Sequence, residues 1–353
     1  MLRRHALSAL LTFAVISPAW AQAPGGAAAS AADAIDAYVT AEMQRQRIPG
    51  VALAVVRDGT VTKIAGFGLA DREQKVPVTP RSVFKIGSVS KQFIATGIML
   101  LAQDGKLSIE DPVRKFLPDA PESWSGITIR HLLSHTSGLI REGPAFAPFA
   151  PKPDIEVVRS GYASPLLTRP GEKYAYCNLG YFTLAEVITR VSGQPWSEFI
   201  GEKVFAAAGM TASRPTTTAP FPNKAKGYTG NDRLAPAADW PAVRPSGAFY
   251  STVEDLARWE AVLLTDRVLR ESTRKQMWTD VRLNDGRAAG YGLGWQVGTL
   301  AGRSAVHHGG SLPGFRAFYL RFVDERLAVI VLGNGDDADM QALALGVATR
   351  VLP

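Results

Sequence analysis

The sequence predicts an α+β protein: one antiparallel sheet flanked by helices, assembled from the two ends of the chain, with a mainly helical lobe inserted between them. Three observations predict it. A pair of β-rich runs stands near the N-terminus, four strand-like runs and a closing helix stand near the C-terminus, and the stretch between carries helical spacings broken by Pro and Gly. The sheet-bearing lobe is expected over residues 33–104 and 245–353 and the helical lobe over 105–244, the whole of 33–353 forming one domain.

Taken in order, residues 1–21 read as a cleavable signal peptide. Arg3 and Arg4 form a basic start, residues 6–16 are apolar, and Ala19-Trp20-Ala21 is a small-x-small site with the cut expected after Ala21. The alternative is a buried N-terminal helix, and the Arg pair also hints at twin-arginine export. Residues 22–32, rich in Ala and Gly, are expected as a flexible linker. The mature chain is therefore expected in the periplasm or outside the cell. Residues 50–70 form two β-rich runs joined at Asp58-Gly59, a dipeptide suited to a tight hairpin turn. A short strand over 83–86 leads through Gly87-Ser88 into a helix marked by Phe93, Ile94, Ile98 and Leu101 and stopped at Asp104-Gly105. Helices are expected over 127–134, 179–192 and 195–208 in the middle, and over 251–264 after it. Strands over 290–297, 304–308, 315–322 and 327–333 then form a meander, and a helix over 338–351 closes the chain.

Composition excludes several classes. At 353 residues with 46% hydrophobic and 20% charged content, the chain is large enough to bury a sizeable core. Beyond the leader no run approaches the ~18 apolar residues of a membrane span, so no stable membrane insertion is expected after cleavage. Cys177 is the sole cysteine, which rules out an intramolecular disulfide. The formal charge of +7 becomes +5 once Arg3 and Arg4 leave with the signal peptide, and it is spread without basic runs, giving no nucleic-acid footprint. There is no Gly-x-Ser-x-Gly elbow and no phosphate-binding or dinucleotide fingerprint. His131 and His135 stand four apart, but Leu132 occupies the place where a zinc protease needs Glu, and no third ligand is evident, so packing is expected of them. No metal and no cofactor are expected.

Ser-x-x-Lys occurs three times, at Ser82/Lys85, Ser88/Lys91 and Ser272/Lys275. Only Ser88 lies at a strand-to-helix junction, where Lys91 falls on the same helix face one turn later. A serine hydroxyl is a poor nucleophile until a base takes its proton. Lysine serves once burial and the helix N-terminus disfavour its charged form. On the pattern alone, a capping Ser88 with a solvated Lys91 stands beside this as an alternative. Tyr174 and Tyr176, taken by themselves, read as core aromatics.

Six segments together extend the pattern: SVFKIGSVSKQF (82–93), GKLSIEDPVRKFLP (105–118), ITIRHLLSHTSGL (127–139), PGEKYAYCNLGY (170–181), SGAFYSTVEDLARW (246–259) and HGGSLPGF (308–315). In this order they resemble the serine β-lactamase and DD-peptidase superfamily, in particular its class C β-lactamase-related branch, which includes esterases. The resemblance implies a β-lactamase/DD-peptidase-like fold with residues 33–353 as the catalytic domain. It matches the family's Tyr-x-Asn to Tyr176-Cys177-Asn178. It implies that Tyr176 shares the base role with Lys91 and protonates the leaving group, while Asn178 holds Lys91 and the substrate. The family usually has serine where Cys177 stands, and this cysteine is expected as a small buried residue. The third motif, Lys/His-x-Gly, matches His308-Gly309-Gly310, the register selected by Pro313-Gly314-Phe315 over that starting at His307. It implies that His308 faces Ser88, orienting the tyrosine or donating to the substrate, that Gly310 allows close approach, and that the backbone N–H of Ser311 joins that of Ser88 in an oxyanion hole. Pocket walls are expected from loops such as 140–153 and 284–290.

The function expected is that of an exported serine hydrolase cleaving an ester or amide through a Ser88 acyl-enzyme, as an esterase or a D-Ala-D-Ala carboxypeptidase or peptidase. Its partner is then a small ester, a peptide or a peptidoglycan-derived substrate. A class C-like β-lactamase is the alternative, with Arg316 as the carboxylate reader. His308 and Gly309 lack the lysine charge and the hydroxyl of the β-lactamases proper, which shifts the expectation toward esters and peptides. A reading of another class is a catalytically silent protein that binds a cell-wall ligand.

Overall fold

The computed structural model describes residues 31–352 apart from 151, 218, 231–234, 240–244 and 248. The expected leader and residues 22–30 of the expected linker lie outside the described residues. Residues 31 and 32, expected in the linker, open helix α1 (Ala31–Gln46). Then come β1 (Gly50–Arg57), β2 (Thr60–Asp71), β3 (Val76–Pro77), β4 (Phe84–Lys85) and α2 (Lys91–Gln103). The middle carries α3 (Ile129–Leu133), α4 (Asp154–Ser160), α5 (Asn178–Ser192), α6 (Trp196–Ile200) and the short strands β5 (Arg214–Pro215), β6 (Tyr228–Thr229) and β7 (Ala235–Pro236). The last part is β8 (Phe249–Ser251), α7 (Val253–Val262), α8 (Glu271–Met277), β9 (Gln296–Leu300), β10 (Arg303–Leu312), β11 (Phe315–Phe322), β12 (Leu327–Gly333) and α9 (Met340–Val351). No helix among the described residues is long and apolar enough to cross a membrane.

Seven strands form one sheet in the order β3-β2-β1-β12-β11-β10-β9, and the pairs given by β1, β2 and β9–β12 are all antiparallel. The expected assembly from both ends of the chain is found in the β1–β12 pairing, which runs from Val51↔Gly333 to Arg57↔Leu327. Up to Arg57 at the end of β1 these two strands are apolar, as strands covered on both faces are. Val51, Leu53, Val55, Val329 and Val331 pack under α1 and α9, while Ala52, Ala54, Val56, Ala328 and Ile330 face the larger core with α2, α5 and α7. Asp58 and Gly59 turn the β1–β2 hairpin, with φ of 51° and 76°.

Three differences from expectation have physical causes. Helix α1 precedes the hairpin that was expected to open the domain; its stripe of Ile35, Val39 and Met43 sits in an otherwise Ala-rich, polar segment. The strand expected over 290–297 starts only at Gln296, because Gly290 and Gly294 take left-handed φ of 72° and 83° and bend the chain against α2. The strand expected over 304–308 continues to Leu312, so its second half passes the end of β9, whose last pair is His307↔Gln296.

A buried ion pair ties α7 to the sheet. Glu260 and Arg321 are almost wholly excluded from water. Arg321 Nε donates to Glu260 Oε1 at 2.7 Å, the Tyr319 hydroxyl donates to Oε2 at 2.8 Å, and the guanidinium lies 4.1 Å from the Trp278 ring centroid. Removing one partner strands a charge. Glu260→Ala should lower the free energy of unfolding by about 3–5 kcal/mol, whereas Glu260→Met with Arg321→Met should recover most of it. Denaturant titration checks this, and an unchanged midpoint for Glu260→Ala counts against it.

Candidate active site

Strand β4 ends at Lys85, and a 3₁₀ turn over Gly87–Ser90 feeds α2. The Ser90 hydroxyl fixes the turn by donating to the Gly87 carbonyl at 2.6 Å and accepting from the Phe249 N–H at 3.1 Å. Gly87 has φ of 54°, and a Cβ there would lie 2.4 Å from the Ser311 nitrogen; a Cβ on Gly310 would strike the Ile86 carbonyl. These two glycines let the Ser88 turn and the free edge of β10 come into direct contact.

Ser88 is half-buried and lines a groove of about 1200 Å³ with Arg141, Glu142, Tyr176, Asn178 and Ser311. Lys91 is wholly buried below it. Its Nζ donates to Ser88 Oγ at 3.2 Å, to Asn178 Oδ1 at 2.8 Å and to the Ser246 carbonyl. Asn178 is the first residue of α5, and its Nδ2 donates to Glu142 Oε1 at 2.5 Å. Cys177 holds that helix start: its sulfur accepts from the Gly180 N–H at 3.2 Å and donates to the Ile140 carbonyl at 3.1 Å. Burial pushes its thiol up to about 12, so it is an inert cap in the place of a serine.

The Tyr176 hydroxyl is buried and makes no hydrogen bond of good geometry, although it is close enough to the Ser88 hydroxyl to feel it. Burial raises its pKa above the ordinary phenol value; Ser88 and Arg141 pull it down, while Tyr174 and Glu142 push it up. Lys91 Nζ lies 4.7 Å and the Arg141 guanidinium carbon 5.2 Å from the ring centroid.

His308 and His135 back this cluster as neutral groups. His308 Nδ1 lies 2.6 Å from the Gly309 carbonyl, and a carbonyl only accepts, so Nδ1 carries the proton and Nε2 accepts from the Tyr291 hydroxyl at 2.8 Å. Both ring nitrogens are thereby engaged, leaving no N–H for the substrate donation the resemblance implied. Burial lowers the His308 pKa to about 3, with Lys91 adding to the effect. His135 Nδ1 accepts from the Cys177 N–H at 3.0 Å, and its ring is packed by Tyr174, Tyr176, Tyr181 and Tyr291; burial holds its pKa well below the ordinary value.

The structure thus brings Ser88, Lys91, Tyr176 and Asn178 together, with His308, Gly309, Gly310 and Ser311 forming one wall. The other two Ser-x-x-Lys pairs are elsewhere. Ser82 Oγ accepts from the Thr79 N–H and Lys85 is ion-paired with Asp239 at 2.5 Å, while Lys275 pairs with Glu271 on exposed α8. Loop 284–290 is absent from the groove wall, since Asn284 turns to the Pro170 carbonyl. Arg316 lines the groove but spends one nitrogen on Asp336 and the Leu312 and Phe315 carbonyls. Sequence reasoning missed Arg141, Glu142, Ser246 and Tyr291; the first two lie in the loop expected as a wall, and Ser246 opens a segment that carried the resemblance. His131 Nδ1 accepts from the Thr128 N–H, and among the described residues no three His, Cys, Asp or Glu side chains gather as a metal-holding group.

Residues 35–350 match the family described as Beta-lactamase. Penicillin-binding protein 4* of Bacillus subtilis (strain 168) is 31% identical over 334 residues, covering 88% of this chain and 73% of that protein. A D-aminopeptidase of Gluconobacter oxydans (strain 621H) is 29% identical over 333 residues, covering 89% of this chain but only 62% of the aminopeptidase, so less than two thirds of that protein is represented. Among solved structures, the octameric penicillin-binding protein homologue from Pyrococcus abyssi superposes with a TM-score of 0.82 at 25% identity, over 90% of this chain and 76% of that one. The D-amino acid amidase from Ochrobactrum anthropi SV3, in complex with D-phenylalanine, gives 0.79 at 25% identity over 91% and 96%.

Two outcomes follow from the buried groups. Iodoacetamide should leave activity intact, and Cys177→Ser, which keeps a helix cap, should keep at least about half of it; inactivation by the reagent would show a reactive thiol. In acid, the unfolded chain takes up protons near pH 6.5 that the folded state refuses at His308, at His307 (lowered to about 4 by burial) and at His135. Stability should therefore fall as pH drops below about 6.5, by up to ~1.4 kcal/mol per unit for each imidazole. Asp154, raised to about 6 by burial, offsets one of them between about pH 6 and 3.8. Calorimetry should give a Tm several degrees lower at pH 5 than at pH 7.5; a flat or rising Tm contradicts the neutral-imidazole assignment.

Proposed function

Because the chain belongs to the beta-lactamase family, whose hydrolase relatives use serine on this fold, we propose that it is an exported serine hydrolase. It cleaves amides or esters through an acyl-enzyme on Ser88, and D-amino-acid amides and peptides are its substrate class. One observation carries this: a lysine nitrogen wholly removed from water, within hydrogen-bond distance of a serine hydroxyl that faces an open groove. In its neutral form that amine has a lone pair for the Ser88 proton, and its two N–H groups still serve Asn178 and the Ser246 carbonyl.

Ser88 Oγ attacks the scissile carbonyl as its proton passes to the Lys91–Tyr176 pair. The oxyanion is held by the N–H groups of Ser88 and Ser311, whose backbones the glycines at 87 and 310 bring together. Collapse breaks the bond to the leaving group, which takes the proton back from Tyr176. A water then attacks the acyl-enzyme, its proton passing to the same pair, and Ser88 departs with a proton restored to its oxygen.

The D-amino-acid class is supported by the names of the aminopeptidase and amidase relatives and by Glu142. Its carboxylate lines the groove beside the nucleophile, hydrogen-bonded to Asn178, and suits a substrate with an amino group next to the scissile carbonyl. Export is supported by the basic, apolar and small-residue pattern of residues 1–21.

The purified protein should hydrolyse D-alanine p-nitroanilide and p-nitrophenyl acetate, and Ser88→Ala should lower kcat/KM on both by at least about 10³-fold. A fluorescent penicillin should label the wild type and not the variant. Equal rates for the two proteins, or a label that persists in Ser88→Ala, would overturn the assignment.

A further inference from the structure

Whatever Tyr176 does with a proton, it passes through its phenolate: it holds that charge before taking the Ser88 proton, or acquires it on giving one to the leaving group. Its hydroxyl is buried, so the charge needs a counterpart in the protein. Most of the surroundings offer none. His135, at 4.2 Å between ring centroids, and His308, at 6.2 Å, are neutral, for the reasons of burial and hydrogen bonding given above. Tyr174, half-buried, and Tyr181 and Tyr291, wholly buried, are phenols whose own pKa values are raised by burial. Glu142 is a carboxylate and opposes a second negative charge. Lys91, on α2, does face the ring, but its nitrogen is shared with Ser88, Asn178 and Ser246 and must itself exchange a proton during the reaction.

Arg141 differs from all of these. Its guanidinium lies over the Tyr176 ring from the groove side and forms no ion pair or hydrogen bond among the described residues. Its place is set by its backbone, because the Arg141 carbonyl accepts the N–H groups of Asn178 at 2.8 Å and Leu179 at 3.1 Å at the start of α5. The same helix start that places Asn178 against Lys91 thus places this guanidinium over the tyrosine. Arginine keeps its charge at any pH at which the protein is folded, so it is a fixed counter-charge and exchanges no proton.

We propose that Arg141 is a positioning residue for the acyl transfer, acting through Tyr176: its fixed charge over the ring favours the phenolate and so sets the pH at which Ser88 becomes nucleophilic. The proposal rests on the Ser88 acyl-enzyme described above. It also predicts a sign. Removing the charge makes Tyr176 hold its proton more tightly, so the deprotonation that activates Ser88 moves to higher pH.

The test is the rate of Ser88 labelling by a fluorophosphonate, which carries no carboxylate and requires no knowledge of the substrate, measured from pH 5 to 10 with the labelled residue identified by mass spectrometry. Arg141→Gln should move the acid limb up by about one unit and slow labelling at pH 7 about tenfold, while Arg141→Lys should restore most of both. In a Tyr176→Phe background, Arg141→Gln should add little further, because the interaction runs through the phenol. Thermal melts confirm that the variants are folded. Labelling of Ser88 with the same acid limb in Arg141→Gln and wild type, or an undiminished Arg141 effect in Tyr176→Phe, overturns the role of Arg141 and leaves Ser88 standing. Failure of the wild type to label at Ser88 overturns the acyl-enzyme itself, and Arg141 with it.

Discussion

A lysine nitrogen with no access to water must find its hydrogen-bond partners inside the protein, and much of the site's architecture meets that requirement at Lys91. The three acceptors come from three places in the chain: the turn before α2, the first residue of α5, and the segment leading into β8. Each is anchored in turn. Ser90 locks the turn to Phe249, Cys177 caps α5, and the Arg141 carbonyl receives the α5 N–H groups. An uncompensated buried ammonium costs several kcal/mol, so drifting apart is penalised for all three segments together. The side chains that face the groove inherit their places from this constraint.

The surroundings of Tyr176 are polar in composition yet mostly uncharged. Tyrosines and imidazoles fill the volume behind Ser88, and burial keeps them neutral by raising the first and lowering the second. Among the described residues, Lys91 stands within this cluster and Arg141 and Glu142 stand at the groove wall beside it, and Arg316, Asp336, Asp337 and Asp339 also line the groove. A low-dielectric chamber with few charges strengthens each one that remains, and makes the protonation of Lys91 and Tyr176 sensitive to small changes at the rim.

Much of this was legible in the chain, for a reason that varies with the element. Strands β11 and β12 are found over the very residues expected, because runs such as Leu327–Gly333 are apolar, β-branched and bounded by turns. Ser88, Lys91, Tyr176 and Asn178 were legible because their chemistry imposes short, fixed spacings within each motif. Arg141 and Glu142 were not, since they work through contacts that only the tertiary fold creates and lie in a loop whose sequence carries no periodicity. Tyr291 was expected in a strand, and its bond to His308 depends on a bend that two left-handed glycines impose. Helix α1 escaped notice because three apolar residues spaced four apart make a weak signal in an Ala-rich segment.

The pairing of β1 with β12 also orders events in time. Strand β1 is made early, yet its second edge and much of the cover for both its faces come from residues beyond 250. Until those arrive, the hairpin of β1 and β2 presents one open edge and apolar faces that α1, α2 and α5 cover only in part, a state prone to pair with other chains. Closure over so long a sequence separation makes folding slow compared with that of a helical bundle of equal stability. Assembly of the sheet therefore waits on the last quarter of the chain, and until then the edge of β1 that β12 will cover stays open to pairing with another copy.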